Sequence, residues 1–248
     1  MAEPLELARP PITEALVDFR IIADPGIDSG RLQPLRDALT SRFPKSEEKN
    51  EFHSEFRVEG GKLLPPVARD LGFRGWWLVS EDGTRIAQFR TDGFTFNNVG
   101  LGHYMGGENL LDEALSLWSL YAAIARPAAV TRIALRYLNR LDLPLRPGDE
   151  FNKYLVSPPE LPAGAPQSIS SFVSRVVAHD ETGATVVVTQ KLDAPGSPVP
   201  VIIDVDAFFA LELEPEADKL RAFLEILRGL KNQCFFALLT DEAVKLYR

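Results

Sequence analysis

Cysteine is almost absent from this sequence of 248 residues, since Cys234 is the only one. One cysteine cannot close an internal disulfide or build a cysteine-based zinc site, and Cys234 in NQCFFALL is typical of a small buried side chain. No run of 18 apolar residues occurs, and the N-terminus lacks the basic and apolar regions of a signal peptide. We therefore expect a cytoplasmic protein without a membrane span, and we expect neither a cofactor nor a metal.

Positive charge is also scarce. Lysine and arginine together number 27 against 35 aspartates and glutamates, which gives a formal net charge of −8. Proteins that hold duplex DNA neutralise its phosphates with lysine and arginine, so we do not expect duplex DNA as a partner. A local basic patch that takes a small phosphate ligand stays open as an alternative.

Catalytic signatures are missing as well. The sequence has no G-x-S-x-G motif, and its glycine-rich stretch GLGHYMGGEN (residues 100–109) matches neither the Rossmann nor the P-loop pattern. A glycine-rich loop before a helix can present backbone N–H groups to an anion. We favour a plain flexible loop here, so the sequence identifies no catalytic residue.

The pattern that is present is a repeated order of elements. Gly83 and Gly183 mark equivalent hairpin turns, and each half reads strand, helix, several strands, long helix. The main segments lie at 12–22, 29–43 and 108–126 in the first half and at 130–143, 149–155 and 216–232 in the second. This order predicts an α+β fold of two tandem β-α-β(3-4)-α halves, residues 1–128 and 129–248, that form one curved antiparallel sheet backed by long helices.

Four stretches carry a resemblance to a known family. They are PPITEALVDFR (10–20), FRTDGFTFN (89–97), RIALRYLNRLDLP (132–144) and LRGLKNQCFFALLTDEA (227–243). Together they resemble a family of sporadically distributed bacterial proteins that has no assigned activity. The resemblance implies one full-length unit and genes that move between hosts, as those of defence and toxin–antitoxin modules do. The order of elements resembles the tandem TATA-binding-protein-like, or helix-grip, topology, which does not carry a function with it.

Three arginines recur at every fourth residue in TRIALRYLNRLDLP, at Arg132, Arg136 and Arg140. The apolar residues between them, such as Ile133 and Tyr137, favour a strand over a helix. On a strand, the arginines share one face and lie about 13 Å apart, which is too far for all three to hold one phosphate.

Carboxylates on two other predicted strands can share that face. Asp204 and Asp206 alternate in VIIDVDAF, while Glu14 and Asp18 lie on one face of ITEALVDFR. If these strands are neighbours, opposite charges pair across them. We favour an internal charge network of this kind, with a protein-binding surface as the second interpretation and a phosphate or nucleotide site as the third.

These seven charged residues are the candidate binding residues. We expect a binding or regulatory protein that recognises a protein partner, or a second copy of itself, through the charged sheet face. Such a protein would be a partner component of a mobile defence or toxin–antitoxin module. The alternative is a metal-dependent enzyme acting on a nucleotide or polyphosphate, with Asp204 and Asp206 as oxygen ligands and the arginines on the phosphates.

The aromatic residues offer one further candidate. Trp76 and Trp77 are adjacent, so on a strand one enters the core and the other meets the open face. With Phe89, Phe94 and Phe96 they could form a stacking platform for bases or a peptide. Ordinary core packing is the favoured interpretation.

Overall fold

The computed structural model describes residues 7–55, 58–59, 62–63, 67–146, 149–193 and 196–248. Between residues 52 and 70 this description covers the backbone alone. The strands are β1 (Ile12–Ile22), β2 (Lys45–Glu55), β3 (Val58–Glu59), β4 (Lys62–Leu63), β5 (Val67–Val79), β6 (Arg85–Arg90), β7 (Gly93–Val99), β8 (Ala129–Leu143), β9 (Val173–His179), β10 (Thr185–Leu192) and β11 (Val199–Phe209). The helices are α1 (Ser29–Leu39), α2 (Gly107–Ala125), α3 (Ala217–Ala237) and α4 (Asp241–Lys245).

Nine of the strands form one open antiparallel sheet in the order β2-β5-β6-β7-β1-β8-β11-β10-β9. The central pair, β1 and β8, consists of the first strands of the two predicted halves. The remaining strands of each half extend outward on their own side of this pair, and β3 and β4 form a separate small ladder. The prediction of an α+β fold with one antiparallel sheet backed by helices is confirmed.

The helices cover one face of the sheet because alternate residues of the central strands are apolar. Val17 and Phe19 of β1 and Leu135 of β8 are fully buried on this face. Helix α2 packs on β1 and β7, and α3 packs on β8 and β11. Phe19, Phe94 and Trp118 form an aromatic cluster at the centre of the core. The opposite face carries the other set of alternate residues and is called the open face below.

The tryptophan pair behaves as the alternation predicts. Trp76 is 7% exposed on the helix face, beneath the guanidinium of Arg36 at 4.8 Å from its ring centroid. Trp77 lies on the open face, where the ammonium of Lys49 is 4.5 Å from its ring centroid. The aromatic platform was the wrong alternative, because the three phenylalanines proposed for it are fully buried in the core: Phe89, Phe94 and Phe96.

Three predicted helix boundaries differ from the structure. Helix α1 ends at Leu39 and not at residue 43. The short helix expected over 149–155 is a single 3-10 turn at Phe151–Lys153, because the backbone of Tyr154 and Val156 bonds to Thr240 and Leu238 instead of continuing a helix. Helix α3 continues to Ala237 and includes QCFFA, which lies beyond the predicted boundary at residue 232. Asp28 is the N-cap of α1, since the backbone N–H of Arg31 donates to the Asp28 carboxylate at 2.8 Å.

Candidate binding surfaces

The predicted arginine row lies on the open face of β8, next to β11 on one side and β1 on the other. Arg136 makes the most regular pair of the row. Its Nε donates to Oδ1 of Asp204 at 2.9 Å, and its Nη2 donates to Oδ2 of the same carboxylate at 2.6 Å. This two-point hydrogen bond raises the pKa of Arg136 above its ordinary value. Asp204 therefore holds Arg136 on the sheet in a fixed orientation.

Arg132 joins two strands that lie on opposite sides of β8. Its Nη2 donates to Oδ2 of Asp206 on β11 at 2.9 Å, and its Nη1 donates to Oδ2 of Asp18 on β1 at 3.1 Å. The guanidinium carbon also lies 4.5 Å from the ring centroid of Phe208. Burial raises the pKa of Asp206, against the opposing charge of Arg132. Arg132 is thus the link between the two predicted halves on the open face.

Asp18 is the most buried charged residue of this network, with 6% exposure. Its Oδ1 accepts hydrogen bonds from Nη2 of Arg90 at 2.9 Å and from the Thr95 hydroxyl at 2.6 Å. Its Oδ2 accepts from Arg132 and lies 3.4 Å from Nε of Arg20. Three guanidinium groups therefore converge on one carboxylate, which makes Asp18 the centre of the charged face.

Glu14 and Arg140 lie at the periphery of the face. Glu14 accepts a hydrogen bond from Nδ2 of Asn97 at 2.6 Å and forms no ion pair within the part of the chain that the structure describes. Nε of Arg140 donates to Asp142 of its own strand at 3.1 Å, and its Nη1 donates to Asp193 at 3.3 Å. Arg140 thus pairs with carboxylates outside the predicted set, whereas five of the seven predicted residues pair with one another as the favoured interpretation expects: Asp18, Arg132, Arg136, Asp204 and Asp206.

The sequence analysis missed part of this network. Arg90 and Thr95 lie on β6 and β7, and Asp92 lies in the two-residue turn that joins these strands. Asp92 accepts from Nε of Arg90 at 3.0 Å and from Nη1 of Arg20 at 2.6 Å. The signal that could have found them is the stretch FRTDGFT itself, in which charged and apolar residues alternate on either side of a tight turn.

The arrangement has a chemical consequence for the arginine row. Each guanidinium of the row already donates to a carboxylate of the same sheet. The positive and negative charges on this part of the open face therefore nearly cancel. A phosphate would have to displace Asp18, Asp204 or Asp206 from these bonds. Among the described residues, no group of three His, Cys, Asp or Glu side chains is placed to hold a metal ion.

A different surface is exposed at the β9 edge of the sheet. Strand β9 pairs with β10 on one side, and all seven of its residues are exposed. Val173, Val176 and Val177 are 72%, 57% and 46% exposed, and Arg175 is the only lysine, arginine, aspartate or glutamate in the strand. An exposed apolar edge strand is a template for pairing with another chain.

The opposite edge of the sheet is built differently. Strand β2, KSEEKNEFHSE, has six charged residues among eleven. Charged side chains on an edge strand oppose the addition of another strand. The two edge strands therefore differ in their number of charged side chains, which controls strand addition. Of the two, only β9 has a composition that favours it.

The backbone of β9 has an identifiable outward set of N–H groups. At one end of the β9–β10 ladder Leu192 N donates to Phe172 O at 3.1 Å, and at the other end Asp180 N donates to Ala184 O at 3.0 Å. Hydrogen-bonded and non-hydrogen-bonded pairs alternate in an antiparallel ladder. The even-numbered residues of β9 thus bond to β10, and the odd-numbered N–H groups point away from the sheet: Val173, Arg175, Val177 and His179.

None of the helices among the described residues is long and apolar enough to cross a membrane. A scan against models of protein families finds no match to this chain, and a search of curated proteins returns no significant match.

Proposed function

We propose that this protein is a protein-binding protein that recognises its partner by adding an extended segment of that partner to β9. The observation that carries the proposal is the edge strand itself, whose valines are exposed on both faces and whose outward N–H groups are unpaired within the described residues. Strand addition obtains affinity from main-chain hydrogen bonds and specificity from alternate side chains.

The side chains of β9 indicate the chemistry of that segment. The odd-numbered residues of β9 share the open face, and they lie opposite four alternate residues of β10: Thr185, Val187, Thr189 and Lys191. A partner strand with apolar side chains against the valines and a carboxylate near Arg175 complements this edge. The segment that binds is therefore an alternating apolar strand with at least one acidic residue on the open-face side.

The arginine network contributes to this function by stabilising the sheet that carries β9. Its ion pairs connect β1, β8 and β11 across the middle of the sheet. The edge strand β9 therefore belongs to a sheet whose central strands are held together by side-chain contacts. The predicted binding residues thus serve the binding surface by positioning the sheet. Direct partner contacts are assigned to β9 at the rim of the same face.

The wider parts of the proposal rest on resemblance and topology. The placement of β1 and β8 at the centre, each followed outward by the later strands of its own half, supports two duplicated halves in a helix-grip-like arrangement. The resemblance to a sporadically distributed bacterial family supports a partner encoded in the same mobile defence or toxin–antitoxin module. A cytoplasmic location belongs to this proposal as well.

Val177→Pro tests the strand-addition proposal. Proline removes an outward N–H group and is tolerated on an edge strand, so we expect the fold to survive and the partner to be lost. Val177→Thr is the matched control, because threonine keeps the N–H group and suits a strand. The measurement is affinity capture of each tagged variant from the native host, with identification by mass spectrometry.

The expected result is one protein that is captured by the wild type and by Val177→Thr and is lost from Val177→Pro. Light scattering on the purified wild-type protein tests whether a second copy of the chain fills the edge. Capture that is equal for all three forms, in proteins with the same circular dichroism spectrum, contradicts recognition at β9.

The enzyme alternative leads to a separate expectation. A metal-dependent enzyme acting on a nucleotide or polyphosphate needs free carboxylate oxygens, whereas Asp204 and Asp206 each accept two hydrogen bonds from one arginine. We expect calorimetric titration with Mg²⁺ and nucleoside triphosphates to give no heat of binding. Saturable heat that disappears in Asp204→Asn would restore the enzyme interpretation.

A further inference from the structure

A cavity of about 500 Å³ lies on the helix side of the sheet, between the N-terminus of α2, the C-terminal half of α3, the start of β1 and the C-terminal half of β8. Ile12, Met105, Phe235 and Phe236 supply apolar walls. This volume is in the range of sites that bind small molecules. None of the seven predicted binding residues lines it.

Lys231 is the most informative residue of the cavity lining. It is 7% exposed, and its Nζ lies 3.6 Å from the ring centroid of Tyr137. Within the part of the chain that the structure describes, its ammonium donates no hydrogen bond and joins no ion pair. Burial, with the nearby charge of Arg228, lowers the pKa of Lys231 to about 7. A buried cation without an anionic partner is costly, so a feature of this kind indicates a site for an anion.

The N-terminus of α2 opens into the same cavity. Gly106 is its N-cap and supplies no side-chain hydrogen bond, and the backbone N–H groups of residues 107–109 have no acceptor among the described residues. The first-turn N–H groups of a helix and its dipole favour a negative charge. A Cβ on Gly107 would lie 3.4 Å from the Tyr104 hydroxyl and 3.5 Å from Cδ of Arg228, so the glycine leaves room beside both.

Arg228 and the hydroxyls of Tyr104 and Tyr137 also line the cavity, and each already has a partner. Arg228 donates to Glu108, and its Nη2 forms an ion pair with Glu225 at 2.9 Å. The hydroxyls of Tyr104 and Tyr137 are 3.0 Å apart, and only one proton is used between them, so the other remains for a ligand. Among the described residues, the cavity therefore has one cation without an anionic partner, Lys231, and one hydroxyl proton that remains for a ligand, beside a helix N-terminus without a side-chain cap.

We propose that this cavity binds a small organic molecule with a single carboxylate and an apolar body. The carboxylate accepts from the Lys231 ammonium and the α2 N-terminus, and the apolar body packs against Met105, Phe235 and Phe236. One uncompensated cation matches one negative charge, and Glu108 at the same wall disfavours a dianion such as phosphate. The proposal does not depend on strand addition at β9.

A wider cavity of about 920 Å³ lies beside the segment between β8 and β9, but it is a weaker candidate for a ligand site. Its charged lining residues include Arg146, Asp149 and Glu150, and all three are exposed. Because these exposed side chains are already solvated by water, they give no reason to expect a bound ion. The smaller cavity is distinguished by the buried and unpartnered Lys231.

Calorimetric titration with matched probes tests the proposal. Phenylacetate and hexanoate are the carboxylate probes, phenylacetamide and hexanamide are their neutral counterparts, and inorganic phosphate is an anion without an apolar body. We expect both carboxylates to bind the wild type, each amide to bind about tenfold or more weakly, and phosphate to give no saturable heat, because a charge-assisted hydrogen bond contributes at least this factor.

The matched variants are Lys231→Met and Lys219→Met. Lys219 lies on the same helix, is about half exposed, and pairs with Glu216 at 2.9 Å. Carboxylate affinity should fall about tenfold or more in Lys231→Met and stay within about twofold in Lys219→Met. Circular dichroism on each variant shows that it is folded.

The pH dependence of affinity is a second readout. Because the free Lys231 has a pKa of about 7 and a bound carboxylate raises it, binding takes up one proton at alkaline pH. The dissociation constant should rise about tenfold per pH unit between pH 8 and 9 and stay nearly flat between about pH 5.5 and 6, where Lys231 is charged and the probe is still a carboxylate. Equal binding of the amides, preference for phosphate, unchanged affinity in Lys231→Met, or no binding of either carboxylate overturns the proposal.

Discussion

Replacing Lys231 by methionine should raise the free energy of unfolding by about 3–5 kcal/mol at pH 6. At that pH the wild-type lysine is charged in both states, and the folded protein must hold that charge with 7% exposure and no anionic partner in the described structure. The lowering of its pKa from 10.5 to about 7 corresponds to a cost of about 5 kcal/mol at most. Methionine has a similar shape and no charge to desolvate, so it removes this cost.

The sign of the pH dependence follows from the same pKa. Between pH 7 and 10.5 the unfolded protein binds more protons than the folded one, so Lys231 makes wild-type stability increase with pH over this window. Lys231→Met lacks that contribution. The difference between the two proteins should therefore be largest below pH 7 and disappear above about pH 10.5.

Urea denaturation at pH 6, 8 and 10 measures both effects. Lys219→Met is the control, because that lysine is exposed on the same helix and its replacement should change stability by no more than about 0.5 kcal/mol. A Lys231→Met protein that is less stable than the wild type at pH 6 would show that the ammonium has a stabilising partner.

Replacing Asp18 by asparagine should have the opposite effect and lower the free energy of unfolding by about 3–5 kcal/mol. Asp18 is 6% exposed and accepts from Arg90, Arg132 and Thr95. Asparagine keeps the shape but removes the charge, which leaves guanidinium groups on the sheet without their shared anion. Removing one partner of a buried ion pair costs more than the pair contributes.

Asp37→Asn is the control for this prediction. Asp37 pairs with Arg36 at 2.8 Å on an exposed surface of α1, and its side chain is 56% exposed. Exposed pairs contribute about 0–1 kcal/mol, so its loss should be small. Urea denaturation of the two variants at pH 7 gives the comparison. An increase in stability for Asp18→Asn would indicate that Asp18 is a functional carboxylate held against repulsion.

The sequence was sufficient to predict the pairing of charges on the open face. Alternation places the arginines of β8 and the aspartates of β11 on one face, and opposite charges on neighbouring strands attract. Which arginine pairs with which aspartate could be assigned only once the register of β8 and β11 was known. Asp206 is the residue directly opposite Arg136, yet Arg136 bonds to Asp204 and Arg132 bonds to Asp206. Diagonal pairs of this kind depend on side-chain reach, which a sequence pattern does not contain.

The cavity was missed although a signal was present. Leu220, Leu224 and Leu227 are buried on one stripe of α3, and Lys231 occupies the next position of the same stripe. A lysine where helical spacing expects an apolar residue is a buried charge, and such a charge marks a functional site. The convergence of α2 with this stripe is a long-range contact that no local pattern reveals.

The order of the strands in the sheet could also not be predicted from local sequence patterns. The hairpin of β9 and β10 was predicted, but its position at the edge follows from the pairing of β1 with β8 and of β8 with β11. These pairings join segments more than 50 residues apart. Because edge strands and central strands differ in neighbours rather than in propensity, the exposed valines of β9 became informative only once the order was known.

Amide hydrogen exchange on the complex with the captured partner tests recognition at β9 most directly. Peptides that cover residues 172–180 report the outward N–H groups of β9, and peptides that cover residues 45–55 report the charged edge strand β2. Strand addition predicts slower exchange in β9 on binding, with unchanged exchange in β2. Exchange in β9 that is the same in the free protein and the complex, while another segment becomes protected, would contradict the account.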